Sequence, residues 1–80
     1  MLTELVGAKK VIGLKQTKKA LREGSVKCVY LSVDADIRLR ETVTALCKEA
    51  AVPVVEAPSM AELGHACGIQ VGAAVAAMLV

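Results

Sequence analysis

The chain has 80 residues, which suffices for one small domain with a single core and excludes two. The net charge of +2 hides an uneven distribution: residues 1–27 carry seven cations against two carboxylates (+5), and residues 28–80 carry three against six (−3). One basic end favours an anionic partner. Tyr30 is the one aromatic residue, which excludes the aromatic platforms on which single-stranded nucleic acids stack their bases.

The cysteines and the apolar C-terminal stretch bear on the compartment. Cys28, Cys47 and Cys67 are odd in number, without C-x-x-C spacing, and no secretory signal precedes them. They predict reduced core thiols in a cytoplasmic protein, with a redox or metal-binding role as the alternative. The uncharged stretch 66–80 is shorter than the roughly 20 apolar residues that span a bilayer, so we expect no membrane segment.

The first predicted elements are short. A helix capped by Thr3 is predicted over residues 3–8, and residues 11–12 are expected to form a brief strand. A longer helix is predicted between Gly13 and Gly24, because this stretch is rich in helix formers and Gly24 suits the position after a helix end.

This longer helix has two unlike faces. Its cations recur at i, i+3, i+4 and i+7 and form what we call the basic stripe: Lys15, Lys18, Lys19 and Arg22. The opposite face is expected to pack inward through Leu14, Thr17 and Leu21. Gln16 lies beside the stripe in the first turn, where a helix offers unpaired N–H groups and a partial positive charge. This surface is therefore suited to a polyanion.

The central elements are a strand and a helix. Residues 27–33 are apolar on both faces, which predicts a strand covered on both sides of a sheet. Asp34 and Asp36 are expected to form a turn and a helix N-cap, and contact with a ligand at the end of the strand is their alternative role. The helix over residues 37–51 is expected to bury one face: Leu39, Val43, Leu46 and Ala50.

The remaining elements have clear boundary signals. Residues 52–57 predict a strand, and Pro53 indicates that this strand lies at a sheet edge. The Ser-x-x-Glu sequence at residues 59–62 is a capping box that opens a helix, and Gly68 is expected to end it. An apolar loop over residues 69–71 then leads to a last, buried strand.

The order of these elements determines the fold class. Helices and strands alternate as α-β-α-β-α-β-α-β, without internal repeats or linkers. Such alternation predicts a central sheet with helices on both faces. We therefore predict one α/β domain over residues 1–80, folded as a three-layer α/β/α sandwich around a four-stranded sheet.

The sequence offers little equipment for catalysis. The single histidine, His65, falls within a predicted helix, and Cys67 points elsewhere on that helix. Ser32, His65 and Asp34 can be drawn as a hydrolytic triad, but no local motif supports it. Metal-ligand spacing and a phosphate-binding P-loop are also missing from the sequence. We expect no enzyme, metal or cofactor, and the alternative is a small thiol-dependent enzyme.

Nucleic-acid binding fits the basic helix better. Lys15 can donate to guanine O6 and N7, and Gln16 can donate to and accept from base edges. Lys18 and Arg22 would then contact phosphates. Without aromatic platforms, the ligand is expected to be a folded RNA or DNA. The alternative is that the stripe is a solvated helix face.

Two segments carry an ordered set of motifs: VIGLKQTKKALREGSVKCVYLSVDAD and AVPVVEAPSMAELGHACGIQVGAAVAA. The motifs are Gly-x-x-x-x-x-Lys opening a helix, Arg-x-Gly closing it, and Leu-Gly-x-Ala-Cys-Gly before an aliphatic loop. They resemble the kink-turn-binding ribosomal proteins, which include the large-subunit proteins seven-Ae and thirty-e and short bacterial paralogues. The resemblance covers nearly the whole chain and implies an α/β/α sandwich with a mixed four-stranded sheet.

The resemblance also implies an RNA site on the basic helix. Family members typically carry Gly-Thr-Asn-Glu-x-x-Lys there, and the Asn, Glu and Lys contact the tandem sheared G·A pairs of a kink-turn. The corresponding residues here are Gly13, Leu14, Lys15, Gln16 and Lys19. The Lys-Gln pair resembles the bacterial branch, whereas Leu14 departs from the pattern because it has no hydroxyl group.

Two further parts of the family's site correspond to segments of this chain. The aliphatic loop that covers the flipped-out nucleotide corresponds to Gly68, Ile69, Gln70 and Val71. For Ile69 and Val71, packing in the protein is the alternative role. The acidic residue after the second strand corresponds to Asp36. We therefore expect a monomeric, cytoplasmic protein that binds kink-turns in ribosomal RNA or a riboswitch. A module whose basic helix meets an acidic protein partner is the alternative.

Overall fold

The computed structural model describes residues 2–80, and within this range four strands form one sheet. They are β1 (Lys10–Ile12), β2 (Val26–Ser32), β3 (Val54–Ala57) and β4 (Val75–Leu79). The sheet order is β1-β4-β2-β3, with β4 antiparallel to β1 and β2, and β2 parallel to β3. The mixed sheet implied by the resemblance is confirmed, and β3 lies at an edge, as Pro53 predicted.

Helices cover both faces of the sheet, which confirms the three-layer α/β/α sandwich. One layer consists of α1 (Leu14–Glu23) and α2 (Ile37–Ala50), and the other consists of α3 (Met60–Ala66) and a 3-10 helix at Leu2–Leu5. The 3-10 helix is shorter than the predicted helix over residues 3–8. Gly7, at φ 78°, turns the chain before another helical turn can form.

The sheet separates two parts of the core. Along β4, Val75 and Ala77 pack on the α1 and α2 side, whereas Ala76 and Met78 pack on the α3 side. From Cys28 to Leu31, β2 alternates in the same way. Because β4 and β2 are the central strands, both of their faces are apolar, as expected for a covered sheet.

Tyr30 ties the 3-10 helix to the centre of the sheet. Its ring is buried on the α3 side, and its hydroxyl donates a hydrogen bond to the Glu4 carboxylate. Burial and this bond raise the pKa of Tyr30 above its usual value. The one aromatic residue therefore serves the core and is not available to stack on a base.

The inward face of α2 differs from the prediction at its C-terminal end. Val43 and Cys47 are buried and Leu39 and Leu46 are half-buried, but Ala50 is exposed. The prediction for Ala50 was wrong because an open groove lies between the C-terminal parts of α1 and α2, and Ala50 lines it. Periodicity identifies the face of a helix but does not show where its packing partner ends.

The residue after α2 has a conformation that disfavours side chains. Ala51 caps the helix at φ 57° and ψ 39°, in the left-handed region. We expect Ala51→Gly to raise the free energy of unfolding by about 1 kcal/mol, because glycine adopts this conformation without steric cost. By contrast, Ala45→Gly lies at an exposed position in the interior of α2 and should lower it by about 0.5–1 kcal/mol. Urea denaturation of both variants measures this contrast, and two changes of the same sign would contradict it.

Candidate nucleic-acid interface

The start of α1 is fastened to the start of β4. Gly13 precedes the helix at φ 98° and ψ 159°, a conformation that favours glycine. Its N–H donates to the carbonyl oxygen of Val75 at 2.9 Å, and its own carbonyl accepts the N–H of Thr17 at 3.0 Å. Among the described residues no side chain caps this helix, so its first N–H groups and the positive end of its dipole are not neutralised by a side chain.

The basic stripe occupies the exposed face of α1, and Gln16 is exposed beside it. The inward face predicted from the sequence is confirmed, with Thr17 buried and Leu14 and Leu21 half-buried, and Ala20 adds a buried residue to it. From Lys15 to Arg22 the helix rises about 10 Å, at about 1.5 Å per residue. The stripe is therefore long enough to follow a nucleic-acid backbone away from the first turn.

Leu14 has a packing role that accounts for an apolar side chain there. It contacts the core between α1, α2 and the sheet, and its exposed part lines an open groove with Lys15, Lys18 and Arg22. The residue that departs from the family pattern therefore supports the helix start. It also leaves an apolar surface next to the cations.

The turn after β2 contains two carboxylates with different partners. Asp36 caps α2, as predicted, through hydrogen bonds from the N–H groups of Arg38 at 2.9 Å and Leu39 at 3.4 Å. Asp34 instead accepts the N–H of Met60 at 2.8 Å, so it caps α3. This second cap links the turn after β2 to the layer on the opposite face of the sheet.

The loop after α3 presents its residues unequally. Gly68, at φ 81°, turns the chain out of the helix. Ile69 is half-buried against the α3 side of the core, and its N–H donates to Gly64 at 3.0 Å. Gln70 is exposed, and Val71 is 71% exposed. Packing in the protein therefore accounts for much of Ile69, whereas Val71 is free to contact a ligand.

The sheet topology brings these parts to one end of the molecule. Because β1 and β2 run antiparallel to β4, the ends of β1 and β2 meet the start of β4. Gly13 follows β1, Asp36 lies in the turn after β2, and the loop with Val71 leads to β4. Lys18, Lys19 and Arg22 extend from this end along α1.

Two exposed apolar residues at this end were missed in the sequence analysis. Val33 is 41% exposed and Ile37 is 63% exposed, and they flank the turn that contains Asp36. A signal for both was present in the sequence. The apolar run of β2 continues to Val33, beyond the last buried position, and Ile37 precedes Leu39, where the inward face of α2 begins.

The residues of the hypothetical hydrolytic triad are not joined to one another. The Ser32 hydroxyl donates to the carbonyl oxygen of Ala73 at 2.7 Å, and Asp34 caps α3. His65 is exposed in the last turn of α3. The hydrogen bonds of Ser32 and Asp34 therefore serve the fold.

Two of the three cysteines are buried in the protein. Burial raises the pKa of the Cys47 and Cys67 thiols, and nearby Lys10 partly offsets this for Cys67. A raised pKa lowers the thiolate fraction and weakens the nucleophile.

Within residues 2–80, no group of three or more His, Cys, Asp or Glu side chains is placed to hold a metal ion. In the same range, no helix combines the length and apolar character needed to cross a membrane.

Comparison with known proteins gives consistent matches over nearly the whole chain. RNA-binding protein YbxF from Geobacillus stearothermophilus is 52% identical over 75 residues, which cover 94% of this chain and 92% of that protein. Two solved structures share the fold. A Bacillus halodurans protein of unknown function has a TM-score of 0.91 at 28% identity, covering 99% of this chain and 83% of the other. A Giardia lamblia 15.5kD RNA binding protein has a TM-score of 0.87 at 26% identity, covering 99% and 68%.

A family model also matches nearly the whole chain. The model described as "Ribosomal protein L7Ae/L30e/S12e/Gadd45 family" matches residues 3–80. This range includes every helix and strand from α1 to β4, as well as the end at which the predicted site residues meet. The chain therefore belongs to the ribosomal protein L7Ae/L30e/S12e/Gadd45 family.

Proposed function

We propose that the chain is an RNA-binding protein that recognises and stabilises kink-turns in structured RNA. The observation that carries the proposal is the meeting, at one end of the sheet, of the first turn of α1 and the exposed Val71. The helix turn supplies donors for phosphates and guanine edges through Lys15 and Gln16. Val71 supplies an apolar contact for an unstacked nucleotide. Family membership and the relatives named as RNA-binding proteins support this proposal.

The shape of RNA explains why a bend is needed. The major groove of A-form RNA is deep and narrow, so side chains on a helix cannot read base edges there. A kink opens the groove and unstacks a base. The first turn of α1 could then reach the G·A pairs while Val71 covers the unstacked nucleotide. A protein that binds only the bent form shifts the RNA toward it by its differential affinity.

The proposed partner is structured RNA, with ribosomal RNA and riboswitches as the candidate sources. All residues assigned to RNA contact belong to one chain and lie either along α1 or at the end of the sheet where β1 and β2 end and β4 begins. They are Gly13, Leu14, Lys15, Gln16, Lys18, Lys19, Arg22, Asp36, Ile69, Gln70 and Val71. One copy can therefore form the interface, and we propose a monomer that works in the cytoplasm. The proposed activity needs no cofactor.

Titration of two labelled RNAs tests this function. One RNA contains a kink-turn, and in the other its sheared G·A pairs are replaced by Watson–Crick pairs. We expect about 100-fold tighter binding to the kink-turn, which corresponds to about 2.7 kcal/mol. Energy transfer between dyes on the two arms should report bending of the first RNA alone. Equal affinity for the two RNAs would contradict kink-turn recognition and favour a general anion site.

Lys18 and Arg22 are expected to contact phosphates without reading bases. With all four cations of the basic stripe at the RNA surface, we expect a slope of roughly −3 to −4 for log K against log salt. The Lys18→Ala/Arg22→Ala variant should flatten this slope by about 2 and weaken binding to both RNAs by similar factors. Anisotropy titrations between about 50 and 200 mM salt measure the slope. If the slope stays the same, these two cations do not contact the backbone.

A further inference from the structure

The start of β4 joins the separate parts of the proposed interface. Residues 73–75, which lead into β4 and include its first residue, form hydrogen bonds with three other parts of the fold. The N–H of Ala73 donates to the carbonyl oxygen of Met60 in α3. The carbonyl oxygen of Ala74 accepts the N–H of Ser32 in β2, and that of Val75 accepts the N–H of Gly13 before α1. The donor–acceptor distance is 2.9 Å in each bond. The loop with Val71 leads directly into this segment.

Ser32 adds a side-chain bond to this network. Its side chain is fully buried, and its Oγ donates to the carbonyl oxygen of Ala73 at 2.7 Å. A buried hydroxyl costs free energy unless it is bonded, so this contact constrains both partners. The two residues are 41 positions apart in the chain. Through its N–H and its hydroxyl, Ser32 therefore fixes the end of the loop to the end of β2.

The other side of the loop is held by α3. The N–H of Ile69 donates to Gly64 at 3.0 Å, and the backbone at residues 71–72 lies so close to Gly64 that a Cβ there would overlap the Val71 carbonyl oxygen. The loop is thus held by α3 on one side and by Ser32 on the other. Val71 itself remains exposed. Its position relative to the first turn of α1 depends on both supports.

We propose that Ser32 is a positioning residue for RNA recognition. It makes no contact with RNA. Its hydroxyl holds the loop so that Val71 and the first turn of α1 can engage a bent RNA without rearrangement. Preorganisation of this kind raises affinity because the ordering cost is met when the protein folds. This inference rests on the proposed function, and its test separates the two.

A double-mutant cycle with Val71 tests the proposal. We expect Ser32→Ala and Val71→Ala each to weaken binding to the kink-turn RNA by about tenfold, and the double variant to be little worse than either, because the two residues act through one contact. When Ser32→Ala is combined with Lys15→Ala, binding to the kink-turn RNA should weaken by the product of the two single factors. Binding to the RNA without G·A pairs should stay within about twofold for Ser32→Ala. All titrations are made well below the unfolding midpoint of each variant.

The outcomes are distinct. A parent protein that binds both RNAs equally contradicts the proposed function. A parent that discriminates, with a Ser32→Ala variant that binds as tightly as the parent, overturns the role of Ser32 alone. Multiplicative losses in the cycle with Val71 also overturn it, because they assign Ser32 to general stability. If Ser32→Ala does not fold, Ser32→Cys keeps the volume with a weaker donor, and the same cycle applies to it.

Discussion

We expect the variant Lys15→Ala/Gln16→Ala/Lys19→Ala to bind kink-turn RNA at least about 100-fold more weakly than the parent. One good base-edge contact is worth about 1–3 kcal/mol, so the loss of two of them suffices for this effect. All three side chains are exposed on α1. Their removal should therefore leave the free energy of unfolding nearly unchanged, because exposed substitutions are usually within about 0.5 kcal/mol of neutral.

A charge-matched variant separates recognition from net charge. Lys27→Ala/Lys48→Ala removes the same number of positive charges, two, from exposed positions that are not among the proposed RNA contacts. Lys27 is near the start of β2 and Lys48 is in the last turn of α2, at the end of the sheet opposite Asp36. We expect this control to weaken binding to both RNAs slightly and equally, through the long-range attraction of polyanions alone.

Comparing the two RNAs shows whether the triple variant has lost kink-turn recognition or general affinity for RNA. The triple variant should lose most of its preference for the kink-turn while it keeps a weak, salt-sensitive affinity for both RNAs through Lys18 and Arg22. Anisotropy titration of parent, triple variant and control against both RNAs measures this. Binding by the triple variant within about threefold of the parent would place recognition elsewhere on the protein. An equal loss in the control would assign the effect to net charge and contradict base-edge contacts by these three residues.

The bounds of α1, α2 and α3 could be predicted because their signals are local. Ser59 accepts the N–H of Glu62 at 3.1 Å, as the capping box predicted. Gly24 ends α1 at φ 71°, and Asp36 caps the start of α2. Each of these residues lies within a few positions of the group it satisfies, so a short window of sequence contains both partners.

The contacts that hold the site together could not be predicted in the same way. Ser32 meets Ala73 across 41 residues, and Asp34 meets Met60 across 26. A lone hydroxyl at the end of an apolar strand indicates that a partner must exist, but many carbonyl groups could serve. Only the sheet order, with β4 between β1 and β2, decides which carbonyl lies opposite.

We expect Gly64→Ala to lower the free energy of unfolding by about 2 kcal/mol, the middle of the usual range for overpacking a close contact. In an exposed helix interior the same change raises it by about 0.5–1 kcal/mol, because alanine favours the helix. Here an added Cβ would overlap the carbonyl oxygen of Val71 and lie 3.1 Å from its carbon and 3.2 Å from the Cα of Gly72. Because of this steric overlap, Gly64→Ala should destabilise the fold, whereas the same change in an exposed helix interior stabilises it.

The overlap is difficult to relieve because both partners are backbone. The loop is bonded to α3 on each side of the contact, through the N–H of Ile69 to Gly64 and the N–H of Ala73 to Met60. A shift of the loop would strain these bonds, and a shift of α3 would disturb Leu63, which is fully buried. The alanine variant should therefore have a displaced loop as well as a less stable fold.

Thermal unfolding measures the first effect, and RNA titration measures the second. A loss of about 2 kcal/mol should lower Tm by roughly 8–16 °C in a domain of this size. His65→Ala is the control, because it places alanine at the next position of the same helix, where the side chain is exposed. It should change stability by less than about 0.5 kcal/mol. If Gly64→Ala were as stable as the parent, the loop would not be packed against α3 in solution, and the position of Val71 would need another support.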